Sequence, residues 1–157
     1  MGDVAAEAGI SLRALYQVCP GKDELFVAVI DDAFGRLLPV LPEPGGGTVP
    51  AVIEGFCAFV AEHRDLGLLY VRAHTSAVRL TDGRDPFAAY LVELQDRLTA
   101  LVAAAQADGH ASRLPAALLA RSVIATLIAT LSDGLINDLD VGTLAPDVVA
   151  VFAPHFT

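Results

Sequence analysis

The sequence predicts an all-α protein in which a partial helix-turn-helix head is followed by a larger helical bundle. Three observations support this prediction. Apolar residues make up 54% of the chain, they recur at intervals of about three and four residues, and glycine and proline interrupt that spacing at a few places. No stretch alternates apolar and polar residues long enough to indicate a β-strand. The predicted domains are residues 1–38, the head with its connecting helix, and residues 49–157, the bundle.

The N-terminal residues fit a short helix, a turn, a second short helix and a second turn. Gly9 can adopt a positive φ after the helical run from Asp3 to Ala8. Ser11 can cap the next helix, and Pro20-Gly21 must end it. Two short helices joined by a tight turn that contains glycine are the plan of a helix-turn-helix.

The second of these helices has the composition of a recognition helix. The positions predicted to face a shared core are small or apolar: Ala5, Ile10, Leu15 and Val18. The outward positions carry a mixture of apolar, basic and amide side chains: Leu12, Arg13, Ala14, Tyr16 and Gln17. A recognition helix needs such a mixture because its side chains contact both base edges and phosphates.

A resemblance to the head of the TetR family of bacterial transcriptional regulators is carried by three segments: Val4–Ser11, Leu15-Tyr16 and Gly21–Phe26. In that family, the tyrosine at the end of the recognition helix and the lysine that opens the following helix contact DNA phosphates. The resemblance therefore implies phosphate contacts by Tyr16 and Lys22. It also implies that the capping residue and three outward side chains lie at the DNA: Ser11, Arg13, Ala14 and Gln17.

Two features depart from the TetR pattern. The family head has three helices, and its first helix would lie before Met1, so that Val4, Leu15 and Val18 would lack a covering helix. Cys19 stands where the family carries an aromatic core residue. Two interpretations follow: either the start lies further upstream, or the head is a partial one of marginal stability.

The next predicted helix connects the head to the bundle. Asp23 and Glu24 fall in its first turn, where carboxylates complement the helix dipole. Its apolar stripe continues to Leu38, after which a stretch rich in proline and glycine, residues 39–47, ends it. In the TetR family the equivalent helix swings the head when a ligand binds. The resemblance thus implies a repressor that a small apolar molecule releases from a palindromic operator.

The bundle is predicted to contain five helices: 49–64, 65–80, 86–107, 115–137 and 146–156. Asp108-Gly109 ends the third of them, because glycine is common just past a helix end. In the TetR family the last two long helices pair with their copies in a second subunit. The resemblance therefore implies a homodimer through residues 115–137 and 146–156.

A ligand cavity is predicted inside the bundle. The residues expected to line it are apolar, aromatic or histidine: Phe56, Phe59, His63, Tyr70, His74, Tyr90 and Leu94. An apolar pocket needs a few polar groups to orient its ligand, and the two histidines lie on neighbouring predicted helices. The alternative, that both are exposed or hydrogen-bonded within the bundle, stays open.

Composition excludes several classes of function. The net charge of −9 argues against indiscriminate nucleic-acid binding but allows a local DNA-reading face. Cys19 and Cys57 form no disulfide framework, and the four histidines show no metal-ligand spacing. No phosphate-binding glycine loop or nucleophile motif occurs. The sequence therefore predicts no enzyme, no cofactor and no metal.

The predicted location is the cytoplasm, without a membrane span. Asp3 and Glu7 do not fit a signal peptide. The longest apolar run, Ser122 to Ser132, is bounded by Arg121 and Asp133 and falls short of the roughly 20 residues that a span needs. The alternative to a repressor is a truncated ligand-binding and dimerisation protein that no longer binds DNA.

Overall fold

The computed structural model describes residues 1–42, 46–75, 80 and 82–156, without the side chains of His74 and Thr75. Eight α-helices lie within these residues: α1 (Gly2–Glu7), α2 (Leu12–Val18), α3 (Lys22–Leu37), α4 (Val49–Glu62), α5 (Arg64–Thr75), α6 (Ala88–Ala107), α7 (Ala116–Ile136) and α8 (Ala145–Phe152). Short 3₁₀ helices span Leu38–Val40, Val141–Leu144 and Ala153–His155. Since the described residues contain no β-strand, the prediction of an all-α fold is confirmed.

The local signals at the start of the chain are confirmed. Gly9 has a φ of +67°. The Oγ of Ser11 accepts a hydrogen bond from the backbone N–H of Ala14 at 3.1 Å, which caps α2. Thr48 caps α4 in the same way, because its Oγ1 accepts from the N–H of Ala51 at 3.3 Å. These caps satisfy N–H groups that have no partner inside the helix.

Most bundle helices differ from the predicted bounds by one or two residues or more, and two of these differences have a clear cause. The segment predicted as one helix, 146–156, is α8 followed by the 3₁₀ turn Ala153–His155, because Pro154 has no N–H with which to continue an α-helix. The helix predicted from residue 86 begins at Ala88, since the Asp85 carboxylate accepts from the N–H of Phe87 at 2.9 Å and holds a turn there. Residues 76–79, predicted to extend α5, lie outside the described part of the chain.

One hydrophobic core joins α3 to the bundle. The first turns of α3 lie beside the head, whereas Ile30, Phe34 and Leu37 are fully buried among side chains of the later helices. The bundle contributes its largest buried side chains from α4 to α7 to the same core: Ile53, Val60, Tyr70, Leu98, Val102, Val123 and Leu131. A displacement of α3 would therefore also move side chains in the core of the bundle.

Glycine allows close helix contacts at two positions in the bundle. A Cβ on Gly67 of α5 would lie 2.5 Å from Val60 Cγ1, and one on Gly134 of α7 would lie 2.8 Å from Val141 Cγ1. These distances are too short for a real Cβ atom. The two glycines therefore let α4, α5 and the turn after α7 pack closely against one another.

The head is less well covered than the bundle. Ala5 and Leu15 are buried, as predicted, and Cys19 is buried beside them. The prediction that Ile10 and Val18 face a shared core is wrong, because Ile10 is exposed and the exposed fraction of Val18 is 79%. α1 and α2 pack on each other through one small contact, and two short helices cannot enclose the apolar side chains on all sides.

Candidate functional site

The exposed face of α2 is the candidate DNA-reading surface. Leu15 anchors the helix from its buried side, and Arg13, Tyr16 and Gln17 are exposed on the other. Residues three or four positions apart lie on one face of a helix, so Arg13 is next to both Tyr16 and Gln17. Ala14 is half-buried between these residues, and its small methyl group adds little bulk to the surface.

Lys22 adds a second positive charge beside this face. It is the first residue of α3 and is exposed. Neither Lys22 nor Arg13 forms an ion pair within the described residues. Both cations are therefore accessible to phosphate oxygens without the cost of breaking an existing pair.

The predicted ligand-binding residues form an aromatic cluster instead of lining one cavity. Ring centroids lie 6.1 Å apart for Phe56 and Tyr70, 6.1 Å for Phe59 and Tyr70, and 4.7 Å for Phe59 and His63. Tyr90 joins the cluster through Phe34, whose ring lies 4.7 Å from that of Tyr90 and 5.0 Å from that of Tyr70.

Leu94, the remaining predicted residue with a described side chain, carries no ring. It is buried on α6 and shares with Phe56 an interior cavity of only about 10 Å³. That volume is about the space of one water probe and leaves no room for an organic ligand. The side chain of His74, also predicted to line the pocket, lies outside the described residues.

Two tyrosine hydroxyls of the cluster bind α3. The Tyr70 hydroxyl donates to the carbonyl oxygen of Ala33, and the Tyr90 hydroxyl donates to the Asp31 carboxylate. Burial raises the pKa of Tyr70 far above its usual value, and the hydrogen bond to Asp31 raises the pKa of Tyr90. Both hydroxyls are therefore protonated donors near neutral pH. These two hydrogen bonds link the bundle to the connecting helix α3.

Replacing Tyr70 with phenylalanine is expected to lower the free energy of unfolding by about 1 kcal/mol, because the hydrogen bond to α3 is lost while the ring stays in place. Urea denaturation followed by circular dichroism measures the change. Tyr16→Phe, at an exposed position, is the matched control and is expected to leave stability unchanged. Equal stability of the Tyr70→Phe variant and the parent chain would show that the bond contributes nothing.

Three open clefts are larger than this interior cavity, and sequence reasoning missed them. The α4–α6 cleft, of about 310 Å³, lies where α4 begins and α6 ends. The α6–α7 groove has a volume of about 420 Å³ and is lined by Leu91, Val92, Gln95, Asp96, Arg121, Ile124 and Ala125. The third, of about 310 Å³, lies between α3 and the residues Leu80 and Arg84. Helix periodicity predicts which faces point inward, whereas the clefts depend on how closely neighbouring segments approach each other in space.

Among the described residues, polar side chains elsewhere show no catalytic or metal-binding arrangement. Ser112 Oγ lies 3.3 Å from His155 Nδ1, and no carboxylate within the described residues is hydrogen-bonded to that imidazole. Cys57 is buried, and burial raises the pKa of its thiol to about 11, which disfavours the reactive thiolate. The described residues hold no group of three or more potential metal ligands.

α7 is long and apolar enough, by length and composition, to cross a membrane. Its mean hydropathy is 1.5 over 18 residues, and 39% of that window is buried. Core helices of soluble proteins meet the same criteria. α7 also carries Arg121 and Asp133 and packs on α5 and α6, so a role in the bundle explains its composition.

No family model and no curated protein sequence matches the chain. Among solved structures, the fold is similar to the crystal structure of a candidate TetR-family transcriptional regulator from Rhodococcus sp.. The TM-score is 0.73, the alignment covers 99% of this chain and 86% of that one, and 21% of the residues are identical. Likeness at this identity establishes the fold. The chain therefore has the all-helical fold of a TetR-type transcriptional regulator, as the motif in its head indicates.

Proposed function

We propose that this protein is a cytoplasmic transcriptional repressor of the TetR type, which binds a palindromic operator as a homodimer and leaves it when a small molecule binds. The observation that carries the proposal is α2. It is a capped helix with a buried anchor, and it presents Arg13, Tyr16 and Gln17 on one exposed face beside Lys22. The chain that carries this face has a fold similar to that of a TetR-type regulator, which supports the proposal.

The exposed side chains divide into two roles. Tyr16 and Lys22 bind phosphates, because a hydroxyl and an ammonium at the ends of neighbouring helices set the register on the duplex. Arg13 and Gln17 read base edges in the major groove, where guanidinium groups bind guanine and amides bind adenine. Ser11 and Ala14 keep the N-terminal end of α2 close to the DNA.

The charge distribution supports specific over non-specific binding. The chain has a net charge of −9, so most of its surface repels DNA. Arg13 and Lys22 are exposed cations at the candidate DNA-reading face, but Asp3 and Glu7 make residues 1–22 neutral in total, so charge alone gives this face little attraction for DNA. Binding therefore depends on pairing the two heads of a dimer with two matching half-sites.

The dimer forms through α6 and α7. Val92 of α6 and Leu118 of α7 are 60% and 52% exposed and lie on helices that pack along each other. The open α6–α7 groove is largely apolar. α8 buries Val148 and Phe152 against its own chain, so less of the 146–156 segment remains for a partner. The 146–156 segment also exposes an apolar side chain, Val151, so the exposed surface allows either partner for α7, and we propose α6 because of the open groove.

Release acts through α3. The hydroxyls of Tyr70 and Tyr90 hold this helix, and Phe34 of α3 packs between their rings. A ligand that shifts the bundle helices displaces α3, and α3 carries Lys22 and the head with it. The spacing between the two recognition helices of the dimer then no longer fits the operator.

The experiment is a gel-shift and salt titration of the chain against its own upstream intergenic DNA. Lys22→Ala is expected to weaken binding to all DNA sequences about equally. It is also expected to reduce the slope of the logarithm of the binding constant against the logarithm of salt concentration by about 1. Arg13→Ala is expected to cost about 1 to 3 kcal/mol and to relax specificity at one base pair. Both variants lose contacts that are made only with DNA, so their stability should not change.

Arg72→Ala is the matched control, because Arg72 is exposed on α5 and carries the same charge away from the head. It is expected to leave operator affinity unchanged. Equal losses in the Arg72 and Arg13 variants would show that the gel shift reports net charge instead of the α2 face. That result would contradict the proposed DNA contacts.

One observation favours the alternative, a ligand-binding dimer that does not read DNA. Val4, Ile10 and Val18 of the head are exposed, which lowers the stability of the α1–α2 pair. Sedimentation alongside the gel shift separates the two functions. A chain that is dimeric but does not bind the DNA even at low salt would support the alternative, whereas salt-dependent binding supports the repressor.

A further inference from the structure

The α4–α6 cleft has the dimensions of a small-molecule site. Its volume of about 310 Å³ lies at the lower end of the range for ligand pockets, about 300 to 1,000 Å³. The residues that line it come from three parts of the chain: Gly47, Thr48, Val49, Pro50, Leu101, Ala104, Ala105, Asp108, His110 and Phe156. None of them belongs to the pocket that the sequence predicts.

The inner walls of the cleft are apolar and firmly held. Val49 and Leu101 are buried and belong to the hydrophobic core. Phe156 closes one side, and it is fixed there by a backbone bridge to Ala111 and by the hydrogen bond from the Ser112 N–H to the His155 carbonyl, 2.8 Å long. An apolar group placed in the cleft would be removed from water on several sides.

The polar end of the cleft is negative. α6 ends in a turn in which the N–H of His110 donates to the Ala105 carbonyl at 2.7 Å and Gly109 has a φ of +79°. This turn places the Asp108 carboxylate at the negative end of the helix dipole. Within the described residues Asp108 has no ion-pair partner.

The opposite side of the cleft offsets this full negative charge only in part, through the partial positive charge at the N-terminal end of α4. α4 begins there, but Thr48 Oγ1 already accepts from the N–H of Ala51, and Pro50 has no N–H to offer. The neutral imidazole of His110 can accept a hydrogen bond through one ring nitrogen. A cation with N–H donors fits this end, whereas a carboxylate would meet a like charge.

We propose that the α4–α6 cleft binds a small amphipathic amine. Its ammonium group binds the Asp108 carboxylate and the His110 imidazole, and its hydrocarbon part packs against Val49, Leu101 and Phe156. The net charge of −9 raises the local concentration of cations around the whole protein.

The cleft also contacts the segment that leaves α3. A Cβ on Gly47, in the wall of the cleft, would lie 3.0 Å from the Pro42 side chain, and one on Gly55 would lie 3.0 Å from Val40 Cγ1. Val40 and Pro42 directly follow α3. A ligand that moves Gly47 therefore pushes on the end of the connecting helix. The use of this movement to release DNA rests on the proposed function above.

Isothermal titration with hexylamine, hexanoate and hexanol tests the site. These probes share one hydrocarbon chain and differ in charge. Hexylamine is expected to bind once per chain and at least about fivefold more tightly than hexanoate, the difference that one charge pair near a protein surface supplies. Equal binding of hexylamine and hexanoate would overturn the proposal.

Substitutions locate the binding. Ala105→Trp fills the cleft and is expected to abolish hexylamine binding, whereas Ala103→Trp, two positions earlier on the exposed face of α6, leaves it intact. Asp108→Asn is expected to weaken the amine at least about fivefold and hexanol little. Glu54→Gln, at an exposed position of α4, is the charge-matched control.

Equal losses in Asp108→Asn and Glu54→Gln would overturn the site, since the amine would then be bound by the general surface charge. This comparison decides the question alone if the tryptophan variants fail to fold. Hexylamine added to the operator complex tests the regulatory role separately. If hexylamine binds but leaves the complex intact, that role is refuted while the site stands. If no operator complex forms, the proposed function fails and the titration still decides the site.

Discussion

Replacing Phe34 with alanine is expected to lower the free energy of unfolding by about 3 to 5 kcal/mol, a large part of the roughly 5 to 15 kcal/mol typical of such domains. Phe34 is buried on α3, and its ring is surrounded by those of Tyr70, Tyr90 and Phe87, at centroid distances of 5.0, 4.7 and 6.2 Å. Removing the ring leaves a cavity that three rigid aromatic groups cannot fill.

Urea denaturation measures this effect, with two variants for comparison. Phe34→Leu keeps most of the buried volume and is expected to lose about 0.5 to 1.5 kcal/mol, the part that depends on ring geometry. Val29→Ala, at an exposed position of the same helix, is expected to change stability by no more than about 0.5 kcal/mol. If Phe34→Ala were no more destabilising than Val29→Ala, the packing of α3 into the bundle core would be refuted.

The helices could be predicted because the signals that determine them are local. Ser11 caps α2 through a bond to a residue three positions away, and Gly9 adopts its positive φ within a single turn. The prediction that Ile10 and Val18 face a core is wrong, because helix periodicity shows only that one face of a helix is apolar. It assumes that a neighbouring element covers that face. Ala5 and Leu15 are buried by the α1–α2 contact itself, whereas Ile10 and Val18 depend on a neighbour that the described residues do not supply.

The interior of the bundle could not be predicted in the same way. Periodicity indicates that Phe56, Tyr70 and Leu94 face inward, and all three do. It does not indicate whether their side chains leave space between them. The Tyr70 hydroxyl is satisfied by Ala33, which is 37 positions away in the chain, so a group expected to orient a ligand holds α3 instead.

The proposed dimer requires the α6–α7 groove to form the centre of the contact between the two copies of the chain. Specific dimers bury about 1,200 to 2,000 Å² in total and exclude charge from the centre of the contact. Val92 and Ala125 are exposed and line the groove, together with two charged residues, Arg121 and Asp96. Two copies related by a two-fold axis can pair these opposite charges and bury the apolar side chains between them.

The double substitution Val92→Glu with Ala125→Glu is therefore expected to convert the dimer into a monomer, because it adds two carboxylates per chain to the centre of the contact beside Asp96, more negative charge than Arg121 can neutralise. Operator affinity is expected to fall at least about 100-fold, since each head then binds a half-site alone. Sedimentation velocity and the gel shift measure the two effects, and circular dichroism checks that the helices persist.

Val151→Glu discriminates between the two possible partners of α7. Val151 is 59% exposed on α8, inside the 146–156 segment that the TetR resemblance implies for the interface. If the proposed α6–α7 contact is correct, this variant remains dimeric and binds the operator normally. If Val151→Glu dissociates the dimer while the double variant at Val92 and Ala125 stays dimeric, the interface includes the 146–156 segment, as the TetR resemblance implies. The α6–α7 groove is then not the dimer contact. Because the two variants add two and one negative charges per chain to an acidic protein, a simple charge effect on DNA binding would appear in both, about twice as large in the double variant.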